Sequence, residues 1–213
     1  MAGGMQGKER AKTGEAPAAR EQLLDTASRL MREGDTVDIS LSELAQSSGL
    51  NSALVKYYFG NKAGLLTALL ERDFSAIVRA VDSLLHKDAD PETKLRLHMS
   101  AVVNTFFKTP YIHRLLMKLI RESAPEEGQR LADAYLKPLM DAYEVLIGEG
   151  VAAGVFRPVD PQFFYFTVIG AADRFFTARY VLRYCTHTDV LDEALRDQYR
   201  AHLNDFVVAG ILV

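Results

Sequence analysis

Apolar side chains recur along this chain at three- and four-residue spacings almost from end to end, and Pro and Gly stand mainly at the breaks between runs. That spacing is the α-helical period, and no strong period-two alternation interrupts it, so the pattern predicts an all-α protein. A first helix is predicted from about Ala18 to Arg32, with Leu23, Leu24, Ala27, Leu30 and Met31 as its apolar stripe, stopping at Glu33-Gly34-Asp35. Ser40-Leu41-Ser42-Glu43 is a capping box that opens a short second helix reaching Ser47. Ser48-Gly49 ends it, Gly49 being suited to a positive φ. Asn51 caps a third short helix, Ser52 to Tyr58, which Gly60 breaks, and Asn61 caps a fourth that continues to Leu85. Further helices are predicted over 91–107, 111–123, 126–150, 161–184 and 189–211, which makes about nine in all.

The second and third helices, two turns each and joined by Ser48-Gly49-Leu50, have the proportions of a helix-turn-helix. Leu41, Leu44, Ala45, Leu50, Val55 and Phe59 supply its internal core, which leaves Ser52, Ala53, Lys56, Tyr57 and Tyr58 facing outward. Residues 18–66 therefore read as a small N-terminal domain of three helices running into a fourth, and residues 67–213 as a larger helical one. The boundary falls inside the fourth helix, which at about 24 residues is roughly 36 Å long. Residues 1–17 are small, polar and Gly/Ala-rich, and read as a disordered arm.

Composition narrows the chemistry. Apolar residues at 48% and charged residues at 25% are ordinary for a globular domain with a sizeable core. One cysteine, Cys185, excludes an internal disulfide and a cysteine-rich zinc site, and suits a reducing cytoplasm. The five histidines are far apart and lack metal-ligand spacing. No apolar run reaches the roughly 18 residues that span a bilayer, and the first residues have no apolar core of a secretory signal. No nucleophile–base pair, phosphate loop or metal cluster is visible, so neither an enzyme nor a cofactor is indicated. The net charge of −3 lends no general support to nucleic-acid binding, and residues 1–62 hold eight Lys/Arg against eight Asp/Glu. Contact with DNA therefore has to come from local placement of a few cations, hydroxyls and helix N-termini.

Over residues 18–66 the chain resembles the TetR family of bacterial transcriptional regulators. The resemblance rests on Leu44-Ala45 in the second helix, Gly49 in the turn, the aromatic run Tyr57-Tyr58-Phe59, the stop Gly60-Asn61, then Lys62 and Leu65-Leu66. The remaining chain has the family's length and helical make-up, and Gly154-Val155-Phe156-Arg157-Pro158 is similar to its turn before the last two helices. One departure is Lys56, where many members carry Tyr, so the operator sequence of better-known relatives does not transfer.

The resemblance implies a third helix that enters the major groove of double-stranded operator DNA. Ser52, Ala53 and Lys56 then face base edges, Leu54 meets a thymine methyl, and Ser42 faces the groove or its wall. Tyr57, Tyr58 and Lys62 hold phosphates, and Lys8, Arg10, Lys12 and Arg20 bring the arm near DNA. It also implies a cavity for a small apolar or amphipathic effector among the central helices, with Met99, Phe106, Met117, Tyr143, Phe166 and Phe175 as candidate lining. Arg174 lies within an apolar run, where a charge needs a partner: either an acidic group across a dimer or a ligand carboxylate. Residues 161–184 and 189–211 are apolar enough to form a homodimer as a four-helix bundle. The expected function is a ligand-responsive repressor on a pseudo-palindromic operator. The alternative is a helical adaptor that keeps the fold and binds only protein.

Overall fold

A computed structural model describes residues 6–213, with side chains from residue 18 onward. The described residues are all-helical, as the periodicity predicts, apart from one isolated antiparallel bridge between Phe156 and Leu212. The chain divides into two compact units, residues 1–72 and 73–213.

The first unit contains α1 (Gln6–Gly34), α2 (Leu41–Ser48), α3 (Ala53–Phe59) and the start of α4 (Lys62–Leu85). Leu23, Leu24, Ala27 and Met31 on α1 are fully buried, because their spacing puts them on one face. Leu44 of α2, Val55 of α3 and Leu65, Leu66, Leu69 and Leu70 of α4 are buried in the same unit. The Gln22 amide donates to the Ser48 carbonyl at 2.8 Å, satisfying an acceptor at the end of α2 that the helix itself leaves open. Arg72 pairs with Asp25 at 2.7 Å and so ties α4 to α1.

The backbone of α1 is helical from Gln6, so residues 6–17 extend the first helix and do not form the irregular arm expected of them. Their run Lys8-Glu9-Arg10-Ala11-Lys12 is made of good helix formers, which prolong a helix nucleated by the packed turns that follow. Residues 1–5 lie outside the described residues, as do the side chains of Lys8, Arg10 and Lys12.

The second unit begins within α4 and continues through α5 (Pro91–Lys108), α6 (Ile112–Glu122), α7 (Pro125–Leu131), α8 (Lys137–Ala152), α9 (Pro161–Thr177), α10 (Arg179–Thr186) and α11 (Glu193–Ile211). Helix α5 is central: Leu95, Met99, Val102, Val103 and Phe106 are buried against α8, α9 and α11. The Asn204 amide of α11 donates to the Ser100 hydroxyl of α5 at 3.1 Å. Lys94 is buried, donating to the Leu85 carbonyl and to Glu149, each at 2.9 Å. The chain end is clasped to the turn after α8 by Arg157 N–H to the Ile211 carbonyl and Val213 N–H to the Val155 carbonyl.

Two long predicted helices are interrupted. The segment expected as one helix over 126–150 contains a π-helical turn, Ala132–Leu136, where the Lys137 amide reaches back to the Ala132 carbonyl. Pro138 follows it. Proline has no N–H and its ring crowds the preceding turn, and a widened turn relieves both. The segment expected over 161–184 breaks at Ala178, which has φ −89° and ψ 35°. No Pro or Gly announces that break.

Candidate DNA-binding surface and effector cavity

The N-terminal site is built from its caps. The Ser40 hydroxyl accepts from the Glu43 amide at 3.1 Å and the Glu43 carboxylate accepts from the Ser40 amide at 2.8 Å, closing the predicted capping box. These bonds hold the Glu43 carboxyl below its ordinary pKa, and the nearby positive charge of Lys62 lowers it further. The Ser42 hydroxyl lies 3.0 Å from that of Ser40 at the exposed start of α2. Gly49 ends α2 at φ 69°, the left-handed conformation that a Cβ disfavours. Asn51 then accepts from the Ala53 amide at 2.8 Å and Asn61 from the Gly64 amide at 2.9 Å, so α3 is bracketed by two asparagine turns. The start of α4 approaches the end of α3 so closely that a Cβ on Gly64 would lie 2.0 Å from the Phe59 carbonyl oxygen.

This scaffold leaves one side of α3 outside. Ser52, Ala53 and Lys56 are exposed, Leu54 and Tyr58 are half-buried, and Tyr57 shows 76% of its surface. The rings of Tyr57 and Tyr58 touch edge to face, 4.8 Å between centroids. Lys62 is half-buried at the start of α4. Phe59, expected in the core, is half-buried beneath the Arg20 guanidinium, whose carbon lies 5.3 Å from the ring centre. Arg20 also pairs with Glu21 at 2.9 Å. Hydroxyls, a lysine and phenols on one convex helical face are groups suited to phosphate oxygens and base edges.

The second unit contains a cavity of about 170 Å³. Its walls come from α4 (Phe74, Ile77, Val81, Leu84), α5, α6, the π turn and α8–α9. Aliphatic and aromatic side chains make most of the lining, with His98, Thr105, His113, Tyr143 and Tyr165 as its polar members. No Lys, Arg, Asp or Glu is among the described residues that line it.

The expected lining residues are only partly brought together. Phe106 and Tyr143 line the cavity. Met99 is fully buried on α5 but does not line it. Met117 is half-buried on α6, away from the walls. Phe175 stacks on Tyr199 at 3.7 Å, and Phe166 is 65% exposed on the outer face of α9. Arg174 is exposed and does not line the cavity. The neighbouring Asp173 lies 4.0 Å from His113.

His98 was not singled out by sequence as a cavity residue. It sits in the stripe Leu95, His98, Met99, Val102 and Phe106, and a polar residue on an apolar helical face was the available signal. Burial drives its pKa down to about 4, so the ring is neutral near neutral pH. Tyr143 and Tyr165 are likewise held protonated by burial.

Comparison with known proteins bears on both units. The family model for bacterial regulatory proteins of the tetR family matches residues 23–69. That for the tetracyclin repressor-like C-terminal domain matches residues 88–213. The HTH-type transcriptional regulator BetI of Stenotrophomonas maltophilia is 32% identical over 110 residues, 51% of this chain and 54% of that protein. The chain thus spans about half the length of the curated relatives it matches. Among solved structures, a ketosteroid transcriptional regulator of Mycobacterium tuberculosis superposes with a TM-score of 0.71 at 16% identity, covering 91% of this chain and 95% of that one. The regulator FadR of Bacillus subtilis, in complex with stearoyl-CoA, gives 0.65 at 18% identity, covering 90% and 98%. These likenesses concern the fold. Taken with the two family models, which together cover most of the chain, they establish that this protein belongs to the TetR family of transcriptional regulators.

Proposed function

We propose that the protein is a cytoplasmic repressor that binds a pseudo-palindromic operator as a homodimer and is released from it by a small apolar or amphipathic effector. The cavity in the second unit carries the ligand-responsive part of this reading, since about 170 Å³ of unfilled space with an apolar lining is more than ordinary packing leaves. One structural neighbour, FadR of Bacillus subtilis, is in complex with stearoyl-CoA, an amphipathic molecule, and another is a ketosteroid transcriptional regulator. In this reading Phe106 and Tyr143 contact the effector.

On the DNA side, Ser52, Ala53 and Lys56 read base edges, Leu54 touches a thymine methyl, and Ser42 lies against the groove. Tyr57, Tyr58 and Lys62 grip phosphates and fix the register. The exposure of Lys56 and Tyr57 supports this assignment. For the homodimer, α9 exposes Phe163 and Phe166 with Gly170 on the same side, and α11 exposes Phe206 and Gly210. Large apolar side chains left in water beside small residues suit a self-complementary helix pair.

The switch is a difference in affinity. A ligand that binds more tightly to the state with the wrong spacing of recognition helices draws the dimer off DNA by that difference and no more. An electrophoretic shift assay on the DNA upstream of the protein's own gene tests the reading. A retarded band is expected for the wild type, with Lys56→Ala plus Tyr57→Ala abolishing it. No band for the wild type, or an undiminished band for the double variant, overturns the proposal.

A further inference from the structure

The Nε2 of His98 and the hydroxyl of Tyr143 are both buried and both lack a hydrogen-bond partner. The two residues expose only 6% and 2% of their surfaces. Their rings meet edge to face with centroids 4.8 Å apart, and both line the cavity. Buried polar atoms are nearly always paired, and each one left unpaired costs stability. Two such atoms sit on touching rings of residues that line one cavity.

We propose that the effector is an uncharged, mainly apolar molecule with one terminal oxygen, a hydroxyl or a carbonyl, seated between His98 Nε2 and the Tyr143 hydroxyl. This rests on reading the cavity as the effector site. A carbonyl oxygen has two lone pairs, one for the Tyr143 hydroxyl and one for an N–H of His98. A hydroxyl accepts from Tyr143 and exchanges a second bond with either tautomer of the imidazole.

Charged heads fit the wall poorly. A carboxylate entering the cavity finds no Lys or Arg among the described lining residues, and the imidazole is neutral. Its desolvation is then uncompensated. A quaternary ammonium gains from aromatic rings, but it has no hydrogen-bonding group and leaves both atoms orphaned. The rings of His98, Tyr143 and Tyr165 also meet edge to face, at 80° and 84°, and occupy one another's surfaces.

Four probes with one tail separate these heads: 1-octanol, 2-octanone, octanoate and octyltrimethylammonium, titrated calorimetrically into the full chain. The alcohol and ketone are expected to bind, and the two ions at least about tenfold more weakly, a gap matching the loss of one well-placed hydrogen bond to a buried group. Tyr143→Phe and His98→Leu are each expected to weaken 1-octanol about tenfold. Both are also expected to raise the melting temperature of the unliganded protein by about 2–4 °C, since each removes an orphan. Rising stability with falling affinity distinguishes a binding group from a structural one. Equal or tighter binding of either ion overturns the proposal. So does the binding of none of the four, or 1-octanol affinity unchanged in both variants, as a resident water bridging the two atoms would give. The shift assay without ligand reports on DNA binding separately, so failure there is distinguishable from failure here.

Discussion

Tyr57 and His98 mark opposite ends of what single residues do here. Tyr57 is 76% exposed, and its ring meets that of the adjacent Tyr58. Its truncation to Ala is expected to change stability by no more than about 0.5 kcal/mol. In a salt titration of DNA affinity, the loss of one phosphate contact should lower the slope by about one. A large loss of stability in urea denaturation, or an unchanged salt slope, contradicts its assignment to the phosphate backbone.

His98 is expected to show itself through pH. Its folded pKa of about 4 lies below the ordinary 6.5, so the unfolded chain takes up the proton first as pH falls. Its cost to the folded state is smallest above pH 6.5, grows between 6.5 and 4, and levels off below that. Between pH 7 and pH 5 the loss should be about 2 kcal/mol. Urea midpoints of wild type and His98→Gln at the two pH values measure it, and identical pH slopes would refute it. Tyr57 was legible in the sequence because its exposure follows from a local pattern of seven helical residues. The role of His98 was not, because burial and the missing partner depend on α8 and α9, which lie far along the chain. Phe166 and Arg174 show the converse: both sit in an apolar run, yet neither is buried within the chain.

At the scale of elements, the short helices of the first unit are set by side-chain caps and glycines, which sequence shows directly. The Ser40–Glu43 box and the asparagine turns at Asn51 and Asn61 are where the pattern puts them. The breaks in the second unit were less legible. Pro138 hinted at the π turn, whereas no Pro or Gly marks the break at Ala178. Two glycine substitutions grade this local control. Gly49→Ala puts a Cβ into the left-handed conformation without any neighbour within 4 Å, which should cost about 1–2 kcal/mol. Gly64→Ala drives its Cβ against the Phe59 backbone carbonyl and is expected to cost more than Gly49→Ala. Thermal melts followed by circular dichroism compare them. If Gly64→Ala is the milder change, the close approach of α3 and α4 is not the constraint inferred from it.

At the scale of the whole molecule, the reading depends on two copies. The apolar faces of α9 and α11 are the surfaces it assigns to the dimer. Phe163→Lys with Phe206→Lys places like charges on that surface and is expected to give a monomer in sedimentation equilibrium while circular dichroism stays helical. A double variant that sediments as a dimer moves the interface elsewhere. The family was legible from a stretch of about fifty residues, and the all-helical architecture from the spacing of apolar positions along the whole chain. The proposed pairing of copies rests on the apolar excess of the last helices.

Hydroxyl-radical footprinting of the wild-type protein on the DNA upstream of its gene tests the central claim most directly. Two protected patches related by a dyad are expected, about one helical turn or a multiple of it apart, and absent with Lys56→Ala plus Tyr57→Ala. A single patch, or no protection at protein concentrations that saturate binding, contradicts a dimeric regulator that reads DNA through α3.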